Sequence, residues 1–431
     1  MAPDMNPLSR WPELSQPERT HLLRSLPQHE ANDLFAGLST HDQLGLLLNV
    51  SGEERRAWLR VLPPDDLTDL LQASGPSRDV LLSALDESSR LQVTALLAYK
   101  EDRAGGLMSP RFAHARPDMT ADEAIAYVHL QSREVETIYY VYVLGQEQRL
   151  LGVLSLRELF NAPRDRLVRD IMRSDYVAVP DTMDQETVAA VFARSDLIAL
   201  PVIDASQRMK GIITVDDIVD VVTEEASEDI QKLGGTEALH APYMETGLAT
   251  MVRKRAGWLA VLFVSEMLTA TAMAHYQDEI ARAVVLAVFV PLIISSGGNA
   301  GSQASTLVIR AMAVGELQIR DWWRVLRREI LTGTILGIIL ASIGVLPISV
   351  WQAVAGTYGH YAAVLAVTVG LSLVGVVLWG TLFGSLLPFV LRASGLDPAS
   401  ASAPFVATMV DVSGLIIYFS VARVVLRGIL L

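Results

Sequence analysis

The spacing of hydrophobic residues changes twice along the chain and divides it into three parts. Through residue 103, short leucine-rich stretches separated by Pro, Gly and Ser predict a series of short amphipathic helices. Ser39 with Asp42, and Ser51 with Glu54, have the three-residue spacing of capping boxes at helix starts. We therefore expect residues 1–103 to form an all-α superhelical domain that acts as a scaffold.

Residues 104–225 contain one pattern twice. The segment GVLS at 152–155 corresponds to GIIT at 211–214, an offset of 59 residues. Each copy predicts a helix, two apolar strands and a further helix. The middle of the chain is therefore expected to be an α+β pair of similar domains.

An acidic stretch, DDIVDVVTEEASED, follows at 216–229, and seven of its fourteen residues are acidic. At helical spacing, Asp217, Asp220 and Glu224 lie on one face, where like charges repel each other. A solvated helix face is the simpler interpretation. Because the stretch joins a soluble region to a hydrophobic one, we interpret it as a cation-responsive surface and assign residues 226–248 to an acidic connecting helix.

Five apolar stretches in residues 249–431 are each long enough to cross about 30 Å of hydrocarbon, which takes roughly 20 helical residues. They lie near 257–276, 283–309, 329–351, 361–391 and 400–426. These five α-helical spans make up the predicted transmembrane domain, 249–431.

Positive residues mark the cytoplasmic loops of membrane proteins. They precede the first stretch and separate the second from the third: Arg253, Lys254, Arg255, Arg310, Arg320, Arg324, Arg327 and Arg328. We therefore expect a multi-pass protein of the cell membrane, inner or plasma, with a cytoplasmic N-terminal half. Five spans leave the C-terminus outside, with which Arg423 and Arg427 fit poorly.

Polar residues interrupt the hydrophobic half. Asp411 lies near the middle of the fifth stretch, where a carboxylate is costly unless water, a cation or a partner accompanies it. Glu266 in the first stretch poses the same problem. The second stretch, PLIISSGGNAGSQAST, combines glycines with Asn299, Ser302 and Gln303. We expect the second and fifth stretches to be broken helices facing protein or water, with tight packing of small residues as the alternative for the glycines.

Composition narrows the class of function. Hydrophobic residues make up 51% of the chain, which excludes a disordered protein. Residues 249–431 carry 12 Lys and Arg against 8 Asp and Glu, whereas residues 1–248 carry 23 against 40, a net charge of −17. So acidic a front half excludes nucleic acid as a partner and favours cations.

Several kinds of site are excluded by the sequence. Cysteine is absent, so there are no disulfides and no thiolate metal sites. No HExxH or Ser–His–Asp pattern is visible, which argues against an enzyme. The first residues lack a basic segment followed by an apolar stretch, so we expect no cleaved signal peptide.

Carboxylate, amide and carbonyl oxygens suit a hard divalent cation, and Mg²⁺ in particular keeps most of its water. One Asp411 per chain is little charge for such an ion. A twofold dimer would place two copies of this carboxylate around one pore, so we expect a homodimer.

The order of these regions and several motifs resemble the MgtE-type magnesium channels over nearly the whole chain. The motifs are AGGLMSP at 104–110, TVDDIVDVV at 214–222, SEDIQKLG at 227–234, GGNAGSQAST at 297–306 and ATMVDVSGLIIYFSVAR at 407–423. The resemblance implies Mg²⁺ uptake through a pore lined by the second and fifth spans, in which Asp411 recognises hydrated Mg²⁺ and Asn299 lines the path.

The same resemblance implies that Mg²⁺ is also the regulator. Cytosolic Mg²⁺ would bind acidic residues at domain interfaces and close the channel, whereas without it the front half would repel itself and spread. The matching positions are Asp184, Glu186, Asp196, Asp217, Asp220, Glu225, Glu228, Asp229 and Asp397.

Residues 104–225 resemble a tandem pair of CBS domains, many of which bind adenine nucleotides. The resemblance turns a hydroxyl and a carboxylate toward the ribose and phosphate, namely Ser155 with Glu158 or Thr214 with Asp217. Tyr139 and Tyr140 offer a stacking face. In MgtE-type channels ATP binding maps to Tyr140, Arg157 and Glu158, although many members have Asp where Glu158 stands.

Two alternatives remain open at this point. Some relatives have Asn at the positions of Ser302 and Ala403 and a small residue at that of Glu266, which favours a broader divalent range that includes Mn²⁺ and Co²⁺. A CBS-regulated secondary transporter is the second alternative, and it would show a two-half repeat in the membrane region. We find no such repeat.

Overall fold

The computed structural model describes residues 11, 14–239, 241, 243–244, 246–356 and 358–427. Contacts between Cα atoms divide the chain into two compact units, Met1–Glu225 and Ala226–Leu431. Each unit has its own hydrophobic core.

Short helices make up the first part of the first unit. They are α1 Gln16–Ser25, α2 Gln28–Ala36, α3 Thr40–Asn49, α4 Gly52–Leu59, α5 Pro64–Ala73, α6 Arg78–Ala84 and α7 Glu87–Leu96. Their leucine-rich faces meet in one core around Phe35, Leu47 and Leu70, which are fully buried. The predicted caps are confirmed, since Ser39 Oγ accepts from the Asp42 amide and Ser51 forms a capping box with Glu54.

The two repeat copies follow. The first contains α8 Ala104–Leu107, β1 His114–Ala115, α9 Ala121–Gln131, β2 Tyr140–Leu144, β3 Leu150–Ser155, α10 Leu156–Asn161 and α11 Val168–Ile171. The second contains β4 Val179–Pro180, α12 Gln185–Ser195, β5 Ala199–Ile203 and β6 Met209–Thr214.

Both copies have one sheet topology, a short parallel strand beside an antiparallel pair. Val143 pairs with Gly152 in the first sheet and Val202 with Gly211 in the second, so the sequence offset also holds in the strand register. The predicted α+β pair is confirmed. The short first strand of each copy, β1 and β4, was not predicted, because two residues are too few to show a hydrophobic alternation.

Helix α13, Val215–Leu233, begins directly after β6 and carries the acidic stretch. The prediction of a connecting helix at 226–248 is wrong in its bounds. The helix begins eleven residues earlier and ends at Leu233, where Gly234 and Gly235 follow, and the described residues between 234 and 247 are not helical. Gly235 has φ of +73°, a conformation that glycine tolerates and that ends helices.

The second unit holds five long apolar helices. They are α14 Leu248–His275, α16 Val285–Ala313, α17 Trp322–Ala355, α18 Ala362–Ala393 and α19 Ala403–Val425, with the short α15 Gln277–Arg282 after the first. The chain therefore has five helices long and apolar enough to span a membrane, in agreement with the predicted five spans. Helix α14 packs against α19 on the outside of the bundle and has no buried residue.

The second and fifth spans are continuous helices, so the prediction that they are broken is wrong. The glycines of α16 serve close packing against α18 instead. A Cβ added to Gly380 would lie 2.3 Å from the Gly297 carbonyl oxygen, and one added to Gly384 would lie 2.0 Å from that of Gly301. Small residues at these positions let the two helix backbones touch without interrupting either helix.

Arg423, one of the two arginines that fitted poorly with an external C-terminus, has a partner. Arg423, in the last turn of α19, forms an ion pair with Glu279 in the link between the first two spans. Its guanidinium also lies over the ring of Tyr276, 5.7 Å from the centroid. Because its charge is compensated at that end of the bundle, Arg423 does not oppose the predicted topology.

Candidate ion path and cation-sensing sites

A row of polar side chains follows one exposed face of α16. Ser295, Asn299, Gln303 and Thr306 are all exposed and recur every three or four residues. The Asn299 amide Nδ2 donates to Ser295 Oγ at 3.4 Å. A polar row at membrane depth is tolerated only against protein or water, so this face is a candidate wall of a water-filled path.

Asp411 lies beside this face. A Cβ added to Gly298 would lie 3.5 Å from Asp411 Oδ1, so the missing side chain at Gly298 leaves the carboxylate accessible next to Asn299. Asp411 is half-buried, and no Lys or Arg within the described part of the chain forms an ion pair with it. The two residues predicted to line the pore are thus neighbours across α16 and α19.

Serines attach α16 to the start of α19 at one end of this path. Ser302 Oγ donates to the Ala403 carbonyl and Ser305 Oγ to the Ala401 carbonyl, each at 3.0 Å. Sequence reasoning missed Ser295 and Thr306 as members of the polar row, and Ser305 as an anchor. The sequence did contain a signal for these residues, since a spacing of three or four residues places them on the same helix faces as Asn299 and Ser302.

A cluster of carboxylates forms a second candidate site, in the first unit. Asp65, Asp66 and Asp69 on α5 lie close enough to the first turns of α13 to interact electrostatically with Asp217 and Asp220. Asp65 is only 5% exposed, and its Oδ1 has no hydrogen-bond partner among the described residues. Sequence reasoning found the two acids on α13 and missed the three on α5.

The pKa values in this cluster show that its negative charges are poorly compensated. Burial, with the charges of Asp217 and Glu136, raises the pKa of Asp65 well above its ordinary value. Burial and the neighbouring charges raise the pKa of Asp69 to about 8 and that of Asp66 to about 6. Burial also raises the pKa of Asp217 to about 7, against the opposing hydrogen bonds from Thr214.

These buried carboxylates are better suited to binding a cation than to facing one another without one. It offers only carboxylate oxygens, which suit Mg²⁺, and one buried oxygen without a partner. Across the described ranges, no three Asp, Glu or His side chains already converge on a single point. The geometry therefore suits an ion that keeps part of its water shell and bridges α5 and α13.

Binding of Mg²⁺ to this cluster is expected to release protons. Carboxyls with pKa values from about 6 to about 8 are partly protonated at neutral pH, and a cation favours their ionised form. We expect release of about one proton per chain at pH 7, and less below pH 6, where Mg²⁺ binds weakly to the protonated acids. Calorimetric titration of the full chain in buffers of different ionisation enthalpy measures it.

The matched variants are Asp217→Asn, which should reduce this proton release, and Asp165→Asn, an exposed acid of the same unit, which should not. Equal proton release in both variants would place the Mg²⁺ site elsewhere.

An acid whose pKa is raised by folding stabilises the fold while protonated, and this contribution is lost as the pH rises through the raised pKa. Without Mg²⁺, the first unit should therefore lose stability between about pH 5 and pH 8.

The other predicted regulatory acids of the first unit lie around α12. Asp184 caps its start and lies 3.5 Å from Arg103, and Glu186 follows in the first turn. Glu225 accepts a hydrogen bond from Gln185, which brings it to the same helix end. Asp196 lies at the opposite end of α12, so the structure does not gather it with the other three.

Two of the predicted regulatory acids, Glu228 and Asp397, form ion pairs with the same lysine. Lys232 Nζ lies 2.6 Å from Asp397 Oδ2 and also forms an ion pair with Glu228 on its own helix. Asp397 caps the turn that precedes α19, where its Oδ1 accepts from the Ala399 amide. Asp229 is the next residue after Glu228 on α13 and is half-buried. In this conformation the Lys232 ammonium already supplies the positive charge between Glu228 and Asp397.

The predicted nucleotide residues lie where β3 meets α10. Glu158 Oε2 accepts from the amide and hydroxyl of Ser155, and Arg173 pairs with Glu158 Oε1. Tyr140 is half-buried, whereas Arg157 is exposed. The carboxylate predicted to meet a ribose is therefore already engaged by Ser155 and Arg173, and a nucleotide would have to compete with that ion pair.

Comparison with known sequence families matches three regions of the chain. A family described as a divalent cation transporter (MgtE) matches residues 290–421, and the MgtE intracellular N domain matches residues 10–102. The CBS domain matches residues 104–165 and 168–224.

Individual relatives extend over nearly the whole chain. The magnesium transporter MgtE of Thermus thermophilus is 40% identical over 98% of this chain and 93% of its own length. That of Bacillus subtilis is 28% identical over 97% of this chain and 90% of its own. A solved structure described as the cytosolic domain of the Mg²⁺ channel MgtE in complex with ATP is 38% identical over 51% of this chain and 91% of its own, with a TM-score of 0.48.

Proposed function

Because the chain belongs to the MgtE family of divalent cation transporters, we propose that it is a Mg²⁺ channel that mediates uptake and is closed by cytosolic Mg²⁺. One observation carries this proposal. Asp411 lies without a cationic partner, among the described residues, beside the polar face of α16 that contains Asn299. A carboxylate and amides at membrane depth are stable there only if water and cations reach them.

Hydrated Mg²⁺ fits this path for a chemical reason. The ion loses its water reluctantly, so a wall of carboxylate, amide and hydroxyl oxygens that binds it through water suits it better than a close-fitting cage. Thioether ligands that would favour softer ions are limited to Met409, a single residue near Asp411.

We expect reconstituted protein to pass Mg²⁺ faster than Ca²⁺, because a wall that binds through water favours the more firmly hydrated ion. Flux of Mg²⁺, Mn²⁺, Co²⁺ and Ca²⁺ into dye-loaded liposomes measures this order. Comparable flux of Mn²⁺ and Co²⁺ would favour the broader divalent channel, for which Ser302, Ala403 and Glu266 are the sequence argument. Flux that requires a counter-ion gradient would favour a secondary transporter.

Closure by cytosolic Mg²⁺ is supported by the carboxylate cluster of α5 and α13. When bound, Mg²⁺ supplies positive charge that cancels the repulsion between Asp65 and Asp217. Binding favours a state only if the ion binds that state better, so the compact arrangement of the cluster must be the tighter one. Helix α13 carries Asp217 near its start and Lys232 at its end, and Lys232 forms an ion pair with Asp397.

A homodimer is part of the proposal. The polar face of α16 is exposed in a single chain, and a second copy would enclose it around a twofold axis. Helix α13 also exposes an apolar row, with Val219 58% and Val222 52% exposed, which a second copy would cover. ATP binding at Tyr140, Arg157 and Glu158 stays a prediction, supported by the resemblance and by the ATP-bound relative.

A further inference from the structure

Glu266 is the one acid in the apolar part of α14, and the pore described above does not use it. Its side chain is exposed, and no Lys or Arg in the described part of the chain forms an ion pair with it. A carboxylate at this depth is too costly to face lipid alone. Some compensating group must therefore reach it.

The contacts between α14 and α19 fix the depth of Glu266. At one end, Trp258 Nε1 donates to Ser402 Oγ at 3.1 Å, and its ring lies 6.1 Å from that of Phe405. At the other end, Tyr276 stacks on Phe419 with ring centroids 4.8 Å apart. The two helices therefore run parallel.

Between these anchors, Glu266 and Asp411 lie at the same level. Glu266 follows Trp258 by eight residues, and Asp411 follows Phe405 by six, which at about 1.5 Å per residue are rises of roughly 12 Å and 9 Å. Each acid lies a little under halfway from the first anchor to the second. Glu266 also lies within electrostatic range of Asp411.

The position of Glu266 around α14 agrees with this arrangement. The side of α14 that packs against α19 includes Trp258, Leu262, Ser265 and Thr269, which are less exposed than most of the helix. Glu266 lies about 70° from the centre of this face, at its edge, given about 100° per residue. Its side chain is therefore exposed at this edge, within electrostatic range of Asp411.

We propose that Glu266 is a second carboxylate of the ion path, set beside Asp411, and that it determines how strongly the path prefers divalent over monovalent cations. The inference rests on the proposed function, because it assigns a role within the same path. Two adjacent negative charges attract a doubly charged ion more strongly than a singly charged one, and they repel each other when no ion is present. Glu266 should therefore lower the Mg²⁺ concentration needed for half-maximal flux.

The experiment uses the full chain in liposomes and measures Mg²⁺ flux against Mg²⁺ concentration, with K⁺ leak in the same vesicles. We expect Glu266→Gln to raise the half-saturating Mg²⁺ concentration at least about fivefold and to increase the ratio of K⁺ to Mg²⁺ flux. Glu266→Asp, which keeps the charge, should restore both values. Glu329→Gln, a matched change in the third span α17, should leave both as in the original protein.

The outcomes separate this inference from the proposed function. If Glu266→Gln leaves both the half-saturating concentration and the K⁺ ratio unchanged while Asp411→Asn stops flux, the inference is wrong and the channel assignment stands. If Asp411→Asn leaves flux intact, the channel assignment itself is wrong. If Glu266→Asp loses flux while Glu266→Gln keeps the values of the original protein, side-chain size rather than charge matters, which also overturns the inference.

Discussion

Replacing Asp411 by Asn is expected to reduce Mg²⁺ flux in liposomes by about a hundredfold or more, while the protein still folds and assembles. The substitution keeps the size of the side chain and removes its charge, and the charge is what compensates a divalent ion at membrane depth. Loss of one such interaction, at about 3 kcal/mol in a partly hydrated site, corresponds to that factor. Flux measured with an internal Mg²⁺ dye, at matched protein content, is the readout.

Glu329→Gln is the control for this experiment, since it removes another carboxylate of the membrane unit, in the third span, α17, which packs mainly against α18. It should retain flux. Size-exclusion profiles of both variants test whether assembly is unchanged. Flux through Asp411→Asn at the level of the unaltered protein would contradict the pore assignment, whatever the control shows.

Removal of residues 1–225 is expected to abolish inhibition by cytosolic Mg²⁺. The break between the two compact units falls after Glu225, and the truncated chain keeps the five spans and the ion pairs of Lys232. It loses Asp65, Asp66, Asp69, Asp217 and Asp220, the carboxylates proposed to sense Mg²⁺. We expect flux in millimolar cytosolic Mg²⁺ to equal flux without it, measured in patches or vesicles with controlled internal Mg²⁺.

A full-length companion variant shows whether the carboxylate charges, rather than the bulk of the first unit, cause the inhibition by cytosolic Mg²⁺. Asp65→Asn, Asp69→Asn and Asp217→Asn combined should raise the inhibitory Mg²⁺ concentration by more than about tenfold, because the ligands are lost. Asp165→Asn should not change it. Undiminished inhibition in the truncated protein would show that Mg²⁺ acts on the membrane unit instead.

Local patterns in the sequence were sufficient for the elements and their order. The capping pairs at Ser39 and Ser51, the offset between the two sheets and the five apolar helices each depend on residues within a short stretch of chain. Pattern reasoning failed where local and tertiary effects compete. Glycines that weaken an isolated helix suggested a broken second span, but packing of Gly297 and Gly301 against α18 keeps it continuous.

Some residues of the candidate sites could be predicted from local sequence patterns, and others could not. Asp411 and Asn299 could be found from sequence alone, because a polar residue in an apolar span is conspicuous wherever the span packs. The carboxylates of α5 could not, since PPDDLTDLL is typical of an ordinary helix start with acids in the first turn. Only burial of Asp65 and its proximity to Asp217 show that these acids face like charges.

The amino-acid sequence by itself therefore determined the three regions, the repeated α+β fold, the five spans and the acid in the fifth span, because each follows from spacing and composition over neighbouring residues. Tertiary structure alone decided which distant groups meet: Asp65 with Asp217, Lys232 with Asp397, and Glu266 at the depth of Asp411. The physical reason is that electrostatic interactions depend on distance in space. A chain folded by hydrophobic burial brings together charges whose separation in sequence gives no indication of that distance.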